Sequence, residues 1–391
     1  MKNFVKLLIR EVKRFFKDTT LLTVFFGAPM LYALLLGFVY KSGKVTQQPI
    51  VVVQEEQTPL SYQLMEMLND NEQLKIVAVL TDKIGLNDAL IENNAIAAVV
   101  IPNRFEASIL QKKYPEVNVY INTTNLLTAN MTSTALQVSL GSLNAGLEMA
   151  ALQKQGMNAD QAALSYEPFK TNFIRLYNET GNYFTYMWPA FLAVILQQVI
   201  LLAMAVSFTR EVEENTFGTE LYQQTKSPLI MLLVKVIPFW IFSWFILAMY
   251  YILHSVFGAP LPQFLFDFMV SSTLFIMACT FLGTMISALI PNALKATQIL
   301  MVLAAPSFLI GGYSWPKDSM PLLIQYLADL LPLTPFLEAH KAMLFQGANL
   351  SQVTVHLNHL MVLCLIYFLL SLAILFIKTK LVAKKLKNAT A

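Results

Sequence analysis

The chain has 391 residues, of which 56% are hydrophobic and only 13% are charged, and its mean hydropathy is +0.55. A soluble domain carries about 25% charged residues, so half that share over this length predicts a polytopic α-helical membrane protein. The formal net charge of +3 says little by itself, because the basic residues are local. We expect no nucleic-acid partner. Cys279 and Cys364 both fall within apolar runs, which excludes a disulfide framework and a CxxC metal site.

Residues 1–20 form the first predicted element, an amphipathic helix on the cytoplasmic side. Apolar side chains recur at helical spacing between residues 2 and 17, and basic side chains fill the other face. Such a helix next to a span tends to lie at the membrane surface with its cations toward lipid phosphates. A plain positively charged flank is the alternative. Residues 21–40 then supply the roughly 20 apolar residues that a first span needs, and no cleavage site follows, so we expect an uncleaved anchor.

Residues 41–180 are polar and acidic, with 14 Asp and Glu against ten Lys and Arg. Short β-rich runs alternate with helical runs, which predicts an inserted α/β domain with a partly parallel sheet. The expected strands are 50–53, 74–80, 97–101 and 117–121, and the expected helices are 60–68, 84–91 and 105–113. A long helix over about 124–157 would follow. Its leucines are spaced as in a stalk that packs against another helix, at Leu136, Leu140, Leu143 and Leu147.

Residues 181–378 form the predicted membrane domain with five further spans, which makes six transmembrane helices in all. The apolar runs cover 183–208, 231–253, 264–290, 298–313 and 357–377. The run 298–313 is short and is broken by Pro306. Residues 314–346 hold two apolar stretches that are too short to cross, which favours a re-entrant or interfacial arrangement. Residues 379–391 form a basic tail.

Lysine and arginine predict the orientation of these spans. The N-terminal flank carries six of them and the C-terminal flank five, whereas the expected outer loops 254–263 and 314–356 carry only two. Short basic flanks stay in the cytoplasm. Both termini are therefore expected inside the cell, and residues 41–180 are expected on the extracytoplasmic side.

The sequence contains no enzyme signature. There is no HExxH motif, and the stretch 37–45, which is the nearest match to a phosphate loop, has one residue too many and lacks the closing Ser or Thr. Ionisable residues within the spans are limited to Lys235 and Asp267. Ion-coupled carriers usually bury such groups at mid-membrane, so any driving energy is expected to come from outside this chain. We expect neither a metal nor a cofactor on the chain itself.

Residues 209–228, between the second and third spans, form a polar segment. Hydrocarbon does not tolerate such a segment, so we expect an ordered loop at a membrane face that presents charge to another protein. Its charged residues are Arg210, Glu211, Glu213, Glu214, Glu220 and Lys226.

Three motifs follow one another in the membrane domain. The first reads Arg-Glu-Val-Glu-Glu-Asn-Thr over 210–216, with Pro228 and then Lys-Val-Ile-Pro at 235–238. The second reads Gly-Gly-Tyr-Ser-Trp-Pro over 311–316, with Met-Pro at 320–321. The third reads Leu-Pro-Leu-Thr over 331–334, with Phe336 and a later Gly347.

In this order, and between these spans, the motifs resemble those of type-2 ABC exporter permeases that carry a large extracytoplasmic domain between the first two spans. The outer domain is also similar, in its strand 50–53 and in Val-Val-Ile-Pro at 99–102. Two positions depart from the family pattern. Asn215 stands where the family usually has Gly, although Asn can adopt a left-handed turn, and Gly218 stands where the family often has Glu.

The resemblance implies a non-catalytic permease subunit of an ATP-driven exporter in the inner membrane. A separate ATPase would bind ATP and Mg and would engage the N-terminal helix and the segment 209–228. The implied coupling residues are Arg210, Glu211, Glu213, Glu214, Thr216 and Pro228. The implied exit-pathway turn comprises Gly311, Gly312, Pro316 and Pro332.

The resemblance also implies partners and a class of substrate. A second copy or a paralogue would complete the permease, lipids would surround it, and a periplasmic adaptor is a further expected partner. The substrate would be a drug-like, amphipathic or ionic compound. The alternative is a membrane-anchored receptor or sensor whose domain 41–180 binds a ligand or protein, which the short cytoplasmic segments disfavour.

Overall fold

The computed structural model describes residues 2–166 and 174–390. Residues 167–173 of the predicted outer domain, residue 391 of the predicted tail and residue 1 lie outside the described residues. The contacts divide the chain into two compact units, one formed by Met1–Gly43 with Arg175–Ala391 and the other by Lys44–Ile174. We call them the membrane unit and the α/β unit.

The membrane unit begins with two helices. Helix α1 covers Lys2–Lys17, and helix α2, the first span, covers Thr19–Val39. Asp18 separates them, because its carboxylate accepts a hydrogen bond from the amide of Leu21 at 2.9 Å and so caps the start of α2. This cap places the start of the span two residues before the predicted residue 21.

The α/β unit holds a four-stranded sheet with the order β2-β1-β3-β4, in which β1 is parallel to β2 and β3, and β4 is antiparallel to β3. The partly parallel sheet that the sequence predicted is therefore confirmed. The strands are β1 Gln48–Gln54, β2 Leu74–Leu80, β3 Ala97–Ile101 and β4 Asn118–Ile121. The helices are α3 Pro59–Asn69, α4 Leu86–Glu92, α5 Phe105–Leu110, α6 Leu126–Lys154 and α7 Ala159–Tyr166.

Helices cover both faces of this sheet. Helices α3, α5 and α6 pack on one face around Leu64 and Phe105, and α4 covers the other face around Val51. A strand that is buried on both faces reads as a continuous apolar run, which explains the sequence of β3. The leucine seam of α6 belongs to the first of these cores, where Leu136 and Leu143 are buried. The interior of the unit itself thus accounts for the spacing that predicted a stalk.

The chain then returns to the membrane unit. Its further helices are α8 Tyr183–Ala205, α9 Thr209–Glu213, α10 Pro228–Phe257, α11 Leu265–Leu289, α12 Ala293–Ala304, α13 Ser307–Ile310, α14 Leu322–Asp329, α15 Leu333–Phe345 and α16 Thr354–Thr390. Within the described chain, six helical stretches are long and apolar enough to cross a membrane, or seven if α14 and α15, bent by 80°, form one span. In chain order the six spans begin with α2, α8, α10, α11, α12 and α16. The predicted helical fold with an inserted α/β domain is confirmed.

Two predicted segments differ in detail. The fifth span begins at Ala293 rather than at residue 298, because the Asn292 side chain accepts a hydrogen bond from the amide of Lys295 at 2.9 Å and caps the helix there. The segment 209–228, expected as a loop, is largely helical: α9 is followed by a π-helical turn, Phe217–Leu221, and a short turn, Tyr222–Gln224. Its charged side chains are therefore held on ordered backbone.

Helix α8 lies at the centre of the membrane unit, and 67% of the residues in its most apolar stretch are buried. The indole of Trp188, fully buried, donates a hydrogen bond to the carbonyl of Ala33 in α2 at 3.0 Å. Helix α11 approaches α8 at Gly283, where an added Cβ would lie 2.5 Å from the Cβ of Met204. A small residue is required at this position because the two helix backbones pass so close to each other.

We predict that Gly283→Ala destabilises the membrane unit. The added methyl group forces α8 and α11 apart, and overpacking of this kind costs about 1–3 kcal/mol. Thermal unfolding of the purified chain measures the loss. Gly27→Ala is the matched control, since its Cβ would meet only Thr23 at an ordinary 3.6 Å. Equal thermal stability of the two variants would contradict the close approach of the helices.

Candidate functional site

A buried carboxylate dominates the end of the membrane unit where α8 ends and α10 begins. The Glu211 side chain, in α9, is 0% exposed. Burial of an ionised group is costly unless cations and hydrogen bonds compensate it. Arg10 supplies a two-pronged contact at 2.9 and 3.1 Å, Lys235 binds at 2.7 Å, and the Arg14 guanidinium and the Thr216 hydroxyl also donate to the carboxylate.

Lys235 is a second buried charge in this region. It lies within α10, is 2% exposed, and sits between two carboxylates, with its Nζ 2.7 Å from Glu211 and 2.7 Å from Glu11. The ring of Phe208 lies 5.6 Å from the same nitrogen. A charge in a span is expected to have such partners. We refer to Arg10, Glu11, Arg14, Glu211, Thr216 and Lys235 as the ionic cluster.

Half-exposed carboxylates surround the ionic cluster. Glu214 accepts from Arg14 at 2.8 Å, and Glu220 accepts from Arg10 at 2.8 Å. Their side chains are 51% and 49% exposed, so these outer pairs are solvated and contribute little to stability. The arrangement has two layers, with an enclosed pairing at Glu211 and an accessible acidic rim.

Two groups in this region have pKa values that follow from their partners. Burial alone would lower the pKa of Arg10, but the hydrogen bond and charge of Glu211 outweigh it and raise that pKa above its ordinary value. Burial alone would raise the pKa of Asp18, but the Leu21 amide and the Arg210 guanidinium hold it below the usual range. Both groups therefore stay charged at neutral pH.

Hydrogen bonds join the same segment to further spans. The Ser287 hydroxyl of α11 accepts from the amides of Phe208 and Thr209, at 2.8 and 3.2 Å, where α8 gives way to α9. Glu213 accepts from the amide of Ala293 at 2.8 Å, at the start of α12. The segment after the second span is thus bonded to α1 and to the third, fourth and fifth spans.

The structure changes the interpretation of several predicted site residues. Glu211 is enclosed by its own chain, so the expectation that it contacts an ATPase directly does not fit this arrangement. Arg210 pairs with Asp18, and Pro228 is the first residue of α10. Asn215 has φ 55°, which confirms the left-handed turn that its sequence position allowed.

Helix α1 also differs from its prediction. Arg10 and Arg14 point into the ionic cluster rather than toward lipid phosphates, and Leu7 and Phe15 are buried in the membrane unit. The exposed surface of α1 carries an apolar stripe and a row of lysines. The stripe comprises Val5, Ile9 and Phe16, and the row comprises Lys6, Lys13 and Lys17.

Sequence reasoning did not assign Glu11, Asp18 or Lys235 to the site. A signal was present for two of them. Glu11 is the lone acid of a basic helix, and Lys235 is a lone cation in an apolar span, so each required a partner. The sequence did not indicate that Glu11 and Lys235 pair with each other, or that Lys235 also binds Glu211.

The predicted exit-pathway residues lie near the other end of the membrane unit. A Cβ on Gly311 would lie 2.7 Å from the Ser307 carbonyl, and Gly312 has φ +87°, so both positions require glycine. The turn is fixed to the second span through Tyr313, whose ring stacks on Tyr186 with centroids 4.8 Å apart. The tyrosine hydroxyls donate to each other's backbone carbonyls.

The predicted prolines of this region each precede a helical element. Pro316 precedes the turn Lys317–Ser319, and Pro332 immediately precedes α15. Among residues 2–166 and 174–390, no group of three or more His, Cys, Asp or Glu is placed to hold a metal ion. Whether the turn lines a pathway stays a prediction.

We predict that Glu211→Gln destabilises the chain far more than Glu214→Gln. Neutralising Glu211 leaves Arg10, Arg14 and Lys235 with less compensating charge in a buried site, which costs about 3–5 kcal/mol. Glu214 is a matched control from the same segment, and its solvated pair is worth about 0–1 kcal/mol. Thermal unfolding of both purified variants makes the comparison. Equal losses would show that the enclosure of Glu211 carries no special energetic weight.

Comparison of the sequence with known proteins places the chain in a family. The profile of the ABC-2 family transporter proteins matches residues 19–373. The inner membrane transport permease YhhJ of Escherichia coli K12 is 20% identical over 362 residues, covering 89% of this chain and 90% of that protein. The probable multidrug ABC transporter permease YbhS of the same strain is 28% identical over 193 residues, 48% of each chain. The chain belongs to the ABC-2 transporter family, as a non-catalytic, multi-pass membrane permease subunit of an ABC transporter.

Proposed function

We propose that the chain is the permease of an ATP-driven exporter, and that the segment 209–228 receives the motion of a separate ATPase subunit that binds ATP and Mg. In this proposal both termini and this segment are cytoplasmic, and the α/β unit is extracytoplasmic. The observation that carries the proposal is the ionic cluster, which ties α1, the segment and the third span to one carboxylate.

The buried pairing supports a role in transmitting force. Separating one partner from a buried ion pair costs about 3–5 kcal/mol, whereas solvated pairs part easily. Helix α1, the segment and α10 are therefore expected to shift as one body when the segment is pushed. The bonds of Ser287 and Glu213 extend this connection to the fourth and fifth spans.

The exposed part of the segment suits a docking surface. Its polar side chains lie outside the ionic cluster and can form charge-assisted hydrogen bonds with a partner. We propose that a groove of the ATPase contacts these exposed side chains, while the buried Glu211 links the segment to α1 and α10. The exposed residues are Glu213, Glu214, Asn215, Thr219, Glu220, Gln223 and Lys226.

The proposed substrate is a drug-like, amphipathic or ionic compound. The relative YbhS is named a probable multidrug permease, which supports this choice. A second copy or a paralogue would complete the permease across lipid-facing spans, and a periplasmic adaptor would extend the route. The turn formed by Gly311, Gly312 and Pro316, with Pro332 at the start of α15, would border the exit.

We predict that the double variant Glu213→Gln/Glu214→Gln binds its ATPase at least about tenfold more weakly, because each lost charged hydrogen bond is worth about 1.5–3 kcal/mol. Glutamine retains an acceptor oxygen for the amide of Ala293, so the fold is preserved. Binding and ATP turnover are measured with the chain in nanodiscs. Asp88→Gln/Glu92→Gln, which neutralises two exposed carboxylates of α4, is the matched control.

Two outcomes would contradict the docking proposal. In one, wild-type chain in nanodiscs binds no ATPase encoded beside it and stimulates no turnover. In the other, the segment variant and the α4 variant bind equally well. If the segment variant binds more weakly than the α4 variant, and the fraction that is bound at saturating ATPase no longer stimulates turnover, coupling through the segment is supported as well, since the bound subunits then fail to transmit motion.

We also predict the direction of transport. Inverted membrane vesicles that contain the chain and its ATPase should accumulate an amphipathic fluorescent dye when ATP and Mg are added, because the cytoplasmic face of such vesicles is outside. Vesicles with the ATPase alone are the control. ATP-dependent accumulation in right-side-out vesicles loaded with ATP and ATPase would instead indicate import.

A further inference from the structure

The α/β unit contains a large groove between helix α6 and the chain that follows helix α5. Its volume is about 720 Å³, within the range of about 300–1,000 Å³ that small-molecule sites occupy. Leu64, Phe105 and Leu143 form an apolar floor that belongs to the core of the unit. The groove thus opens directly onto the interior of the α/β unit.

The groove is elongated. Its lining residues on α6 run from Leu140 to Lys154 and recur on every helical turn, as at Leu140, Asn144, Leu147, Ala151 and Lys154, so they form one face of the helix. At 1.5 Å per residue this face is about 21 Å long. A slender apolar chain fits such a shape better than a compact ring system.

One of the residues that line the groove is a glycine, Gly141. Gly141 lies within helix α6, where glycine is a poor helix former, and it lines the groove. A Cβ added at Gly141 would meet no other atom of the described residues within 4 Å. The packing of the helix therefore does not require glycine here. The missing side chain instead leaves room inside the groove.

The rim of the groove is polar and carries more positive than negative charge. Lys112 and Lys154 line it against one carboxylate, that of Glu148, and all three side chains are exposed. Neither lysine forms an ion pair with any residue in the described parts of the chain. Two unpaired cations beside an apolar groove complement a ligand with an anionic head group.

The loop between α5 and β4 also lines the groove and has an uncommon backbone conformation. Lys112 and Tyr114 both have positive φ, 55° and 46°, in a conformation that non-glycine residues adopt rarely. The Tyr114 side chain is 81% exposed and that of Leu110 is 72% exposed. Large apolar side chains at the mouth of an apolar groove can cover the body of a bound ligand.

We propose that this groove binds a long-chain amphipathic anion, with the apolar chain along α6 and the anionic head near Lys112 and Lys154. A fatty acid has this chemistry. The site is a property of the α/β unit and does not depend on the direction of transport or on an ATPase. It adds a ligand-binding function that membership of the permease family does not by itself assign to this unit.

The test is photolabelling of the full chain in nanodiscs with a diazirine-bearing long-chain fatty acid, followed by mass spectrometry of the peptides. We expect labelling of peptides from α5, the following loop and α6, and competition by unlabelled fatty acid. Gly141→Leu should reduce this labelling to background. Gly146→Leu is the matched control, since Gly146 also lies in α6 with no atom near its added Cβ but does not line the groove.

Two further measurements keep the result interpretable. Labelling of the membrane spans serves as an internal standard that neither glycine variant should change. If Gly141→Leu does not fold, Ala150→Leu fills the same groove from an exposed position. Lys112→Gln/Lys154→Gln should weaken labelling by the fatty acid but not by the matching fatty alcohol, which lacks the charge.

The proposal is overturned if the probe labels only the membrane spans, or if Gly141→Leu and Gly146→Leu are labelled in α6 to the same extent. It is also overturned if the acid and the alcohol lose labelling equally in the lysine variant, because the anionic head would then play no part. None of these outcomes depends on ATP hydrolysis, so failure here leaves the exporter proposal unaffected.

Discussion

The membrane unit depends on the way one carboxylate is kept ionised without water. Glu211 is enclosed, and its three cationic partners come from positions as distant as 201 residues along the chain. Because no solvent is available to replace a lost partner, α1 and α10 must remain close to α9. Buried ion pairs add little net stability compared with apolar packing, but they tolerate few alternative arrangements. The cluster therefore defines where an amphipathic helix docks, which its hydrophobic face alone would leave poorly specified.

The contrast between enclosed and solvated charge divides the segment after the second span into two parts with different mechanical properties. The pairs that Glu214 and Glu220 form with Arg10 and Arg14 are solvated, so a partner protein would compete for these carboxylates at low cost. Glu211 is enclosed and offers a partner no such access. In the proposed function, a partner that pulls on these outer carboxylates would move the backbone that carries Glu211, and the hydrogen bonds to Ser287 and Ala293 would extend that movement to other spans.

Local patterns in the sequence were sufficient to predict the helices and strands, but not to predict which charged residues meet in the site. Strands 74–80 and 97–101 were predicted to the residue, because β-branched runs between turn residues have few other conformations. The spans followed from their length and apolarity. The predicted start of the fifth span, residue 298, was wrong because the Asn292 side chain caps a helix that begins at Ala293. The partners of Glu211 were beyond reach, since an ion pair between residues about 200 positions apart is decided by tertiary packing, and the sequence shows only that Glu11 and Lys235 each need a partner.

The same physics explains what the motif at 210–216 does. Within this motif Glu211 and Thr216 are five residues apart, and the Thr216 hydroxyl donates a hydrogen bond to the Glu211 carboxylate. A continuous helix would carry the chain away from that contact, so the backbone must turn back between them. Asn215, with φ 55°, makes this turn, and a glycine would adopt the same conformation without strain. The left-handed turn at Asn215 therefore brings the Thr216 hydroxyl back to Glu211 and completes the shell around a buried charge.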